Sequence, residues 1–205
     1  MTVTPVASPT HPTPWRAELG RKAVHLTSAL FPVSWGLGWV GRPLILAVLA
    51  LGFVIAVGLE VARRRPGVLR TAFDHWFGWM LRPHEATALT GATWILVAMF
   101  LAAWLLPTPA AIAALWAAVV GDSSAALIGR TVSARAAVKG KTWAGSLACV
   151  LSSAVGPVVL LGASVPAALG IGVAAALGER PRNHIDDNLR VTMAAGLAAW
   201  VLLPG

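Results

Sequence analysis

Seven apolar runs, divided by short stretches that hold nearly every charge, leave this chain of 205 residues few folds to adopt. The runs fall at about 23–40, 43–62, 87–106, 110–128, 144–161, 166–178 and 189–203. Most approach the roughly 20 residues that an α-helix needs to cross a bilayer at about 1.5 Å per residue. With 57% hydrophobic and only 12% charged residues, a water-soluble domain of this size would have no polar coat for its surface. Lipid is the solvent that such a composition fits. The expectation is an all-α polytopic membrane protein, one transmembrane domain over 15–205 behind a Thr- and Pro-rich tail at 1–14 expected to be disordered. The tail lacks the basic-then-apolar order of a cleaved signal peptide. The one cysteine, Cys149, excludes an internal disulfide and any thiol metal cluster.

The loop charges set a topology. With the N-terminus inside and the runs alternating, only Arg42 among the 16 Lys and Arg residues falls outside. This is the bias of the positive-inside rule, and omitting the short sixth run would move Arg180, Arg182 and Arg190 to the far side. The expectation is therefore seven spans, N-in and C-out, in the cytoplasmic membrane. The sixth run needs thinned lipid or a tilted, partly re-entrant course. Trp35, Trp39, Trp104 and Trp200 mark the outer interface, and Trp15 and Trp143 the inner one. Between the second and third runs, Leu69, Phe73, Trp76, Phe77 and Met80 recur at helical spacing beside Arg70, Asp74 and Arg82. This pattern predicts an amphipathic helix in the inner interface, an anchor or a guide for a lipid headgroup.

All eight acidic residues and all five histidines also fall on the inner side. A transporter would place polar groups near the midplane, so this distribution favours chemistry at the inner surface. Glu60 closes the second run about one turn from Arg64, its expected ion-pair partner. Asp122 lies about two turns inside the fourth run, in Gly121-Asp122-Ser123-Ser124. An unpaired carboxylate there costs roughly 2.5–3.5 kcal/mol on insertion scales, so a metal ion, a basic partner or water must offset it. Asp186-Asp187-Asn188 follows Glu179 and opens the last run. Such a pair of carboxylates suits Mg²⁺, or alternatively Asp187 or Asn188 caps the helix. The basic loop at 129–146 contains Lys139, Lys141, Thr142 and Ser146. Its Gly140-Lys141-Thr142 is no P-loop, because Arg135 stands where the pattern needs glycine. It reads as a phosphate cradle leading into a helix, or as topology-setting charge.

Taken in order, these clusters resemble the CTP-dependent lipid alcohol kinases: dolichol kinase, phytol kinase and the CTP-using diacylglycerol kinase, relatives of phosphatidate cytidylyltransferase. The resembling residues are Arg21-Lys22 with His25, Glu60 with its arginines, and Arg82, Glu85 and Leu89 to Thr93. Gly121-Asp122 through Gly129-Arg130, Lys141-Thr142 with Gly145-Ser146, and Asp186-Asp187-Asn188-Leu189 complete the set. Ala144 replaces a common Glu and Thr192 a common Pro, and the spacing from Glu179 to Asp186 is compact. The resemblance implies transfer of the γ-phosphate of CTP, with Mg²⁺, to a membrane lipid alcohol. It implies metal ligation by Asp122, Asp186, Asp187 and Glu179. Nucleotide contacts would come from Arg21, Lys22, Arg130, Lys139, Lys141, Thr142, Ser146 and Asn188. Asp122, Asp187, Lys141 and His25 would be catalytic, with His25 or a carboxylate taking the alcohol's proton. The rival readings are a cytidylyltransferase and, from another class, a lipid transporter or flippase.

Overall fold

The computed structural model describes residues 14–136, 141–179 and 185–204, and among these it contains helices and no strands. Ten α-helices follow in order: α1 (Trp15–Thr27), α2 (Leu30–Gly36), α3 (Arg42–Arg64), α4 (Val68–Phe77), α5 (Gly91–Leu105), α6 (Thr108–Trp116), α7 (Asp122–Ala136), α8 (Trp143–Leu161), α9 (Val165–Gly178) and α10 (Asp187–Leu202). A π turn, Ala117–Gly121, joins α6 to α7 without a break. Among the described residues, three stretches are long and apolar enough to cross a membrane: α3, Thr108–Val132 and α8. Helices α5 and α9 are apolar but shorter, at 15 and 14 residues.

The first apolar run is not one helix. Helix α1 begins at Trp15, within the charged stretch, and the chain tightens at Ser28–Ala29 before α2. Pro32 has no N–H to return to Ser28, whose carbonyl accepts instead from Phe31 at 3.1 Å, three residues on. The expected amphipathic helix is present as α4, followed by a short 3₁₀ turn at Gly78–Met80. Its Trp76 and Phe77 remain exposed, as an interfacial anchor requires.

The continuous helix from α6 into α7 is the axis of the molecule. Its apolar window is 67% buried, against 17% for α3, which lies at the periphery. Alanines make this possible: Ala110, Ala111, Ala113, Ala114, Ala117 and Ala118 are all at or near full burial. Small side chains let the neighbouring helices approach closely where lipid supplies no hydrophobic force between them. Helices α8, α9 and α10 pack in sequence order around this axis, with α10 also against α5 and α6. Gly129 and Gly145 bring α7 against α8, because a Cβ on Gly145 would lie 2.8 Å from the Ala125 carbonyl. That contact sets the start of α8 beside the first half of α7.

Candidate functional site

The π turn delivers Asp122. Its wider winding lets the Asp122 N–H reach the Ala117 carbonyl five residues back. The Ala118 carbonyl accepts from His25 Nε2 at 2.9 Å. A carbonyl can only accept, so Nε2 carries the proton, and Nδ1 of the neutral ring is the free acceptor. Such turns recur at functional sites because they disturb the regular ladder. Asp122 is buried, and Lys22 Nζ donates to its Oδ2. His25 Nε2 stands 3.7 Å from the same oxygen. The basic partner that Asp122 required is thus Lys22, brought in from α1.

Around this pair lies a cavity of about 340 Å³. Its polar lining includes Arg21, Lys22, His25, Glu60, Arg63, Arg82, Glu85, Asp122, Asp187 and Asn188. Its apolar lining includes Val24, Ala56, Leu59, Phe73, Phe77 and Leu96, from α1, α3, α4 and α5. A lining of both charged and apolar side chains suits an amphipathic ligand.

Most lining charges have partners. Arg21 is paired with Glu18, which also accepts from Arg130 at 3.2 Å. Glu60 pairs chiefly with Arg63 at 2.6 Å and only at 3.4 Å with Arg64, the partner expected from helical spacing. Glu60 also accepts from the Thr90 N–H at 2.7 Å, and Glu85 from the Gly91 N–H at 2.8 Å. These two carboxylates therefore cap α5, where free N–H groups favour negative charge. Arg82 differs: among the described residues no carboxylate lies within ion-pair distance of its guanidinium. Burial disfavours the Arg82 charge, but Glu18, Asp187, Glu85 and Asp122 outweigh it and raise its pKa further.

The second polar cluster sits where α8, α9 and α10 meet. Lys141 Nζ reaches Glu179 at 2.6 Å and Asp187 at 3.5 Å. Asp186, rather than Asp187 or Asn188, is the N-cap of α10, accepting from the Asn188 N–H at 2.9 Å and its Nδ2 at 2.8 Å. Burial and the adjacent Asp187 raise the Asp186 pKa. Thr142 is likewise a cap, its hydroxyl accepting from the Gly145 N–H at 3.1 Å.

Of the expected site residues, Arg21, Lys22, His25, Asp122, Asp187 and Asn188 share the cavity. Arg130, Lys141, Thr142, Ser146, Glu179 and Asp186 do not line it. Lys139 lies outside the described residues. The four acids expected to bind metal do not converge: Glu179 is held by Lys141, and Asp186 by its own helix start. Among the described residues, no three His, Cys, Asp or Glu side chains could hold a metal by themselves. Arg63, Arg82 and Glu85 join the cavity without having been read as site residues. For Arg82 and Glu85 the signal was their place at the start of the third apolar run. Arg63 looked like one of three equivalent loop arginines.

The chain is thus an all-helical protein with apolar helices of membrane-spanning length and an amphipathic cavity. No model of a protein family matches it, and no curated protein or solved structure does either.

Proposed function

We propose that this protein is a lipid alcohol kinase of the cytoplasmic membrane, using CTP and Mg²⁺ and working at the inner surface of a seven-span, N-in topology. The observation that carries this reading is the cavity, whose lining combines charged groups, Arg82 among them, with apolar side chains. A lipid alcohol matches both kinds of lining, with its hydroxyl among the charges and its chain along the apolar side chains. Phosphoryl transfer needs positioning and charge neutralisation above all. Arg82 is suited to phosphate oxygens, since its planar fork is always charged. Lys22 and Arg21 line the same cavity.

Asp122 and Asp187 fit Mg²⁺, because both line the cavity and Mg²⁺ sites that hold phosphates use one or two carboxylates completed by water and substrate oxygens. When bound, the ion would neutralise charge on the phosphates. His25 Nδ1 is the candidate acceptor for the alcohol's proton, since Nε2 is engaged. The use of CTP rests on the resemblance of the motifs.

The experiment is incubation of the purified protein with lipid alcohols, Mg²⁺ and CTP labelled at either the α or the γ phosphate. Label from γ in the lipid is the expected result. Label from α would make the protein a cytidylyltransferase. No label from either position, with the protein folded, would end the kinase reading. Asp122→Asn should abolish transfer.

A further inference from the structure

Glu18 does not line the cavity, yet its carboxylate holds an arginine that does. It is buried on α1, and its Oε2 accepts from Arg21 and, at 3.2 Å, from Arg130 of α7. The Arg130 guanidinium in turn lies over the Trp15 ring, 5.7 Å from its centroid. The carboxylate is thus tied to α7 as well as to its own helix. Its Oε1 is buried with no hydrogen-bond partner among the described residues. An unpaired buried acceptor is costly, so stability alone does not account for a carboxylate here.

Arg21 passes the constraint on. One terminal nitrogen donates to Glu18 and the other to the Met80 carbonyl, in the 3₁₀ turn at Gly78–Met80. Gly20 lets that turn sit on α1, since a Cβ there would lie 2.3 Å from the Trp79 ring. Two residues beyond Met80 stands Arg82, whose own N–H donates to Glu85 Oε2 at 2.7 Å. The backbone that carries Arg82 is therefore held both before and at that residue. Its guanidinium lines the cavity, and among the carboxylates that favour its charge Glu18 acts most strongly.

We infer that Glu18 is a positioning residue: acting through Arg21 and the Met80 carbonyl, it sets the Arg82 guanidinium to receive phosphate oxygens in the cavity. That those oxygens belong to a nucleotide rests on the kinase reading; the positioning does not. A guanidinium fixed in advance binds oxyanions with less ordering cost. By charge alone, the same carboxylate would weaken anion binding. Position and charge therefore predict opposite signs when the charge is removed.

The test is calorimetric titration of inorganic triphosphate into the full chain in phosphatidylcholine nanodiscs, with Tm read in parallel. Glu18→Gln removes the charge and keeps the shape. Glu18→Asp keeps the charge and withdraws it, and it decides the matter where the glutamine variant does not fold. Each should raise Kd about tenfold, the loss expected when a charged hydrogen bond is misplaced. Neither should weaken binding further in an Arg82→Gln background. In steady-state kinetics the KM for nucleotide should rise with kcat little changed. Tighter binding by Glu18→Gln, an unchanged Kd in Glu18→Asp, or a full second loss in the Arg82→Gln background would overturn the positioning role. So would a lowered Tm as the only effect, or a parent that binds no triphosphate. Phosphate transfer to a lipid alcohol with KM unmoved in both variants would keep the kinase and remove the positioning. The expected Kd pattern without transfer to any alcohol would keep the positioning and remove the kinase.

Discussion

Replacing Lys22 by Met isolates the interaction on which the site is built. Lys22 and Asp122 are 100 residues apart in sequence and meet with side chains only 7% and 10% exposed. Methionine keeps the length and apolar stem of lysine, so the change removes the charge and little else. Asp122 is then left with His25 at 3.7 Å. Removing one partner of a buried ion pair costs about 3–5 kcal/mol, because the other charge stays behind without water. For a chain of this size each kcal/mol shifts Tm by roughly 2–4 °C, so a fall of about 6–20 °C is expected. Thermal unfolding in detergent, followed by tryptophan fluorescence, reads it directly. The decisive comparison is the double variant Lys22→Met with Asp122→Leu. Replacing both charges by apolar groups is often near neutral, so this variant should recover to within about 1 kcal/mol of the parent. If instead the double variant loses the sum of the two single losses, the residues act independently, and the pairing of α1 with α7 is wrong.

Three further outcomes are expected. Arg82→Gln should raise the KM for nucleotide about 10–100-fold, the equivalent of ~1.5–3 kcal/mol for a lost charged hydrogen bond, with Tm little changed; steady-state kinetics over a nucleotide titration shows it. Gly172→Ala would place a Cβ 2.3 Å from the Val150 carbonyl, which is backbone and cannot step aside. Overpacking of this kind costs about 1–3 kcal/mol, and a lowered Tm for the variant checks it. Thr142→Ala should cost about 1 kcal/mol by removing the α8 cap, while Thr142→Ser keeps the parental Tm; a loss with serine equal to that with alanine would show that the hydroxyl is not the cap.

Local pattern made much of this fold legible. The amphipathic spacing of Phe73, Trp76 and Phe77 is α4, and the second, fifth, sixth and seventh apolar runs match α3, α8, α9 and α10 to within a few residues. Composition also pointed to apolar helices of spanning length, and three are present. The break at Ser28–Ala29 was hidden because its cause, the missing N–H of Pro32, acts through backbone bonding and leaves hydropathy unchanged. At the site, Asp122 stood out by the cost of its charge, but its partner did not. Lys22 is one of three basic residues before the first run, and only tertiary contact distinguishes it. Asp186, Asp187 and Asn188 were equally plausible as ligands or caps. Geometry divides them, with Asp186 closing the helix start and Asp187 facing the cavity. Glu60 and Glu85 are read from helical spacing and motif order, which do not show that each also accepts from a backbone N–H at the start of α5.

The wide turn at Ala117–Gly121 gives the central helix an independent phase adjustment. Deleting one residue there would rotate everything after it by about 100° and draw it in by about 1.5 Å, while residues before it keep their places. Asp122 would swing away from α1, yet the alanine-rich half would still nest among α5 and α10. The alanine-rich half and the half that carries Asp122 are thus phased by this one turn, and a single inserted or deleted residue between them is enough to align or misalign the two.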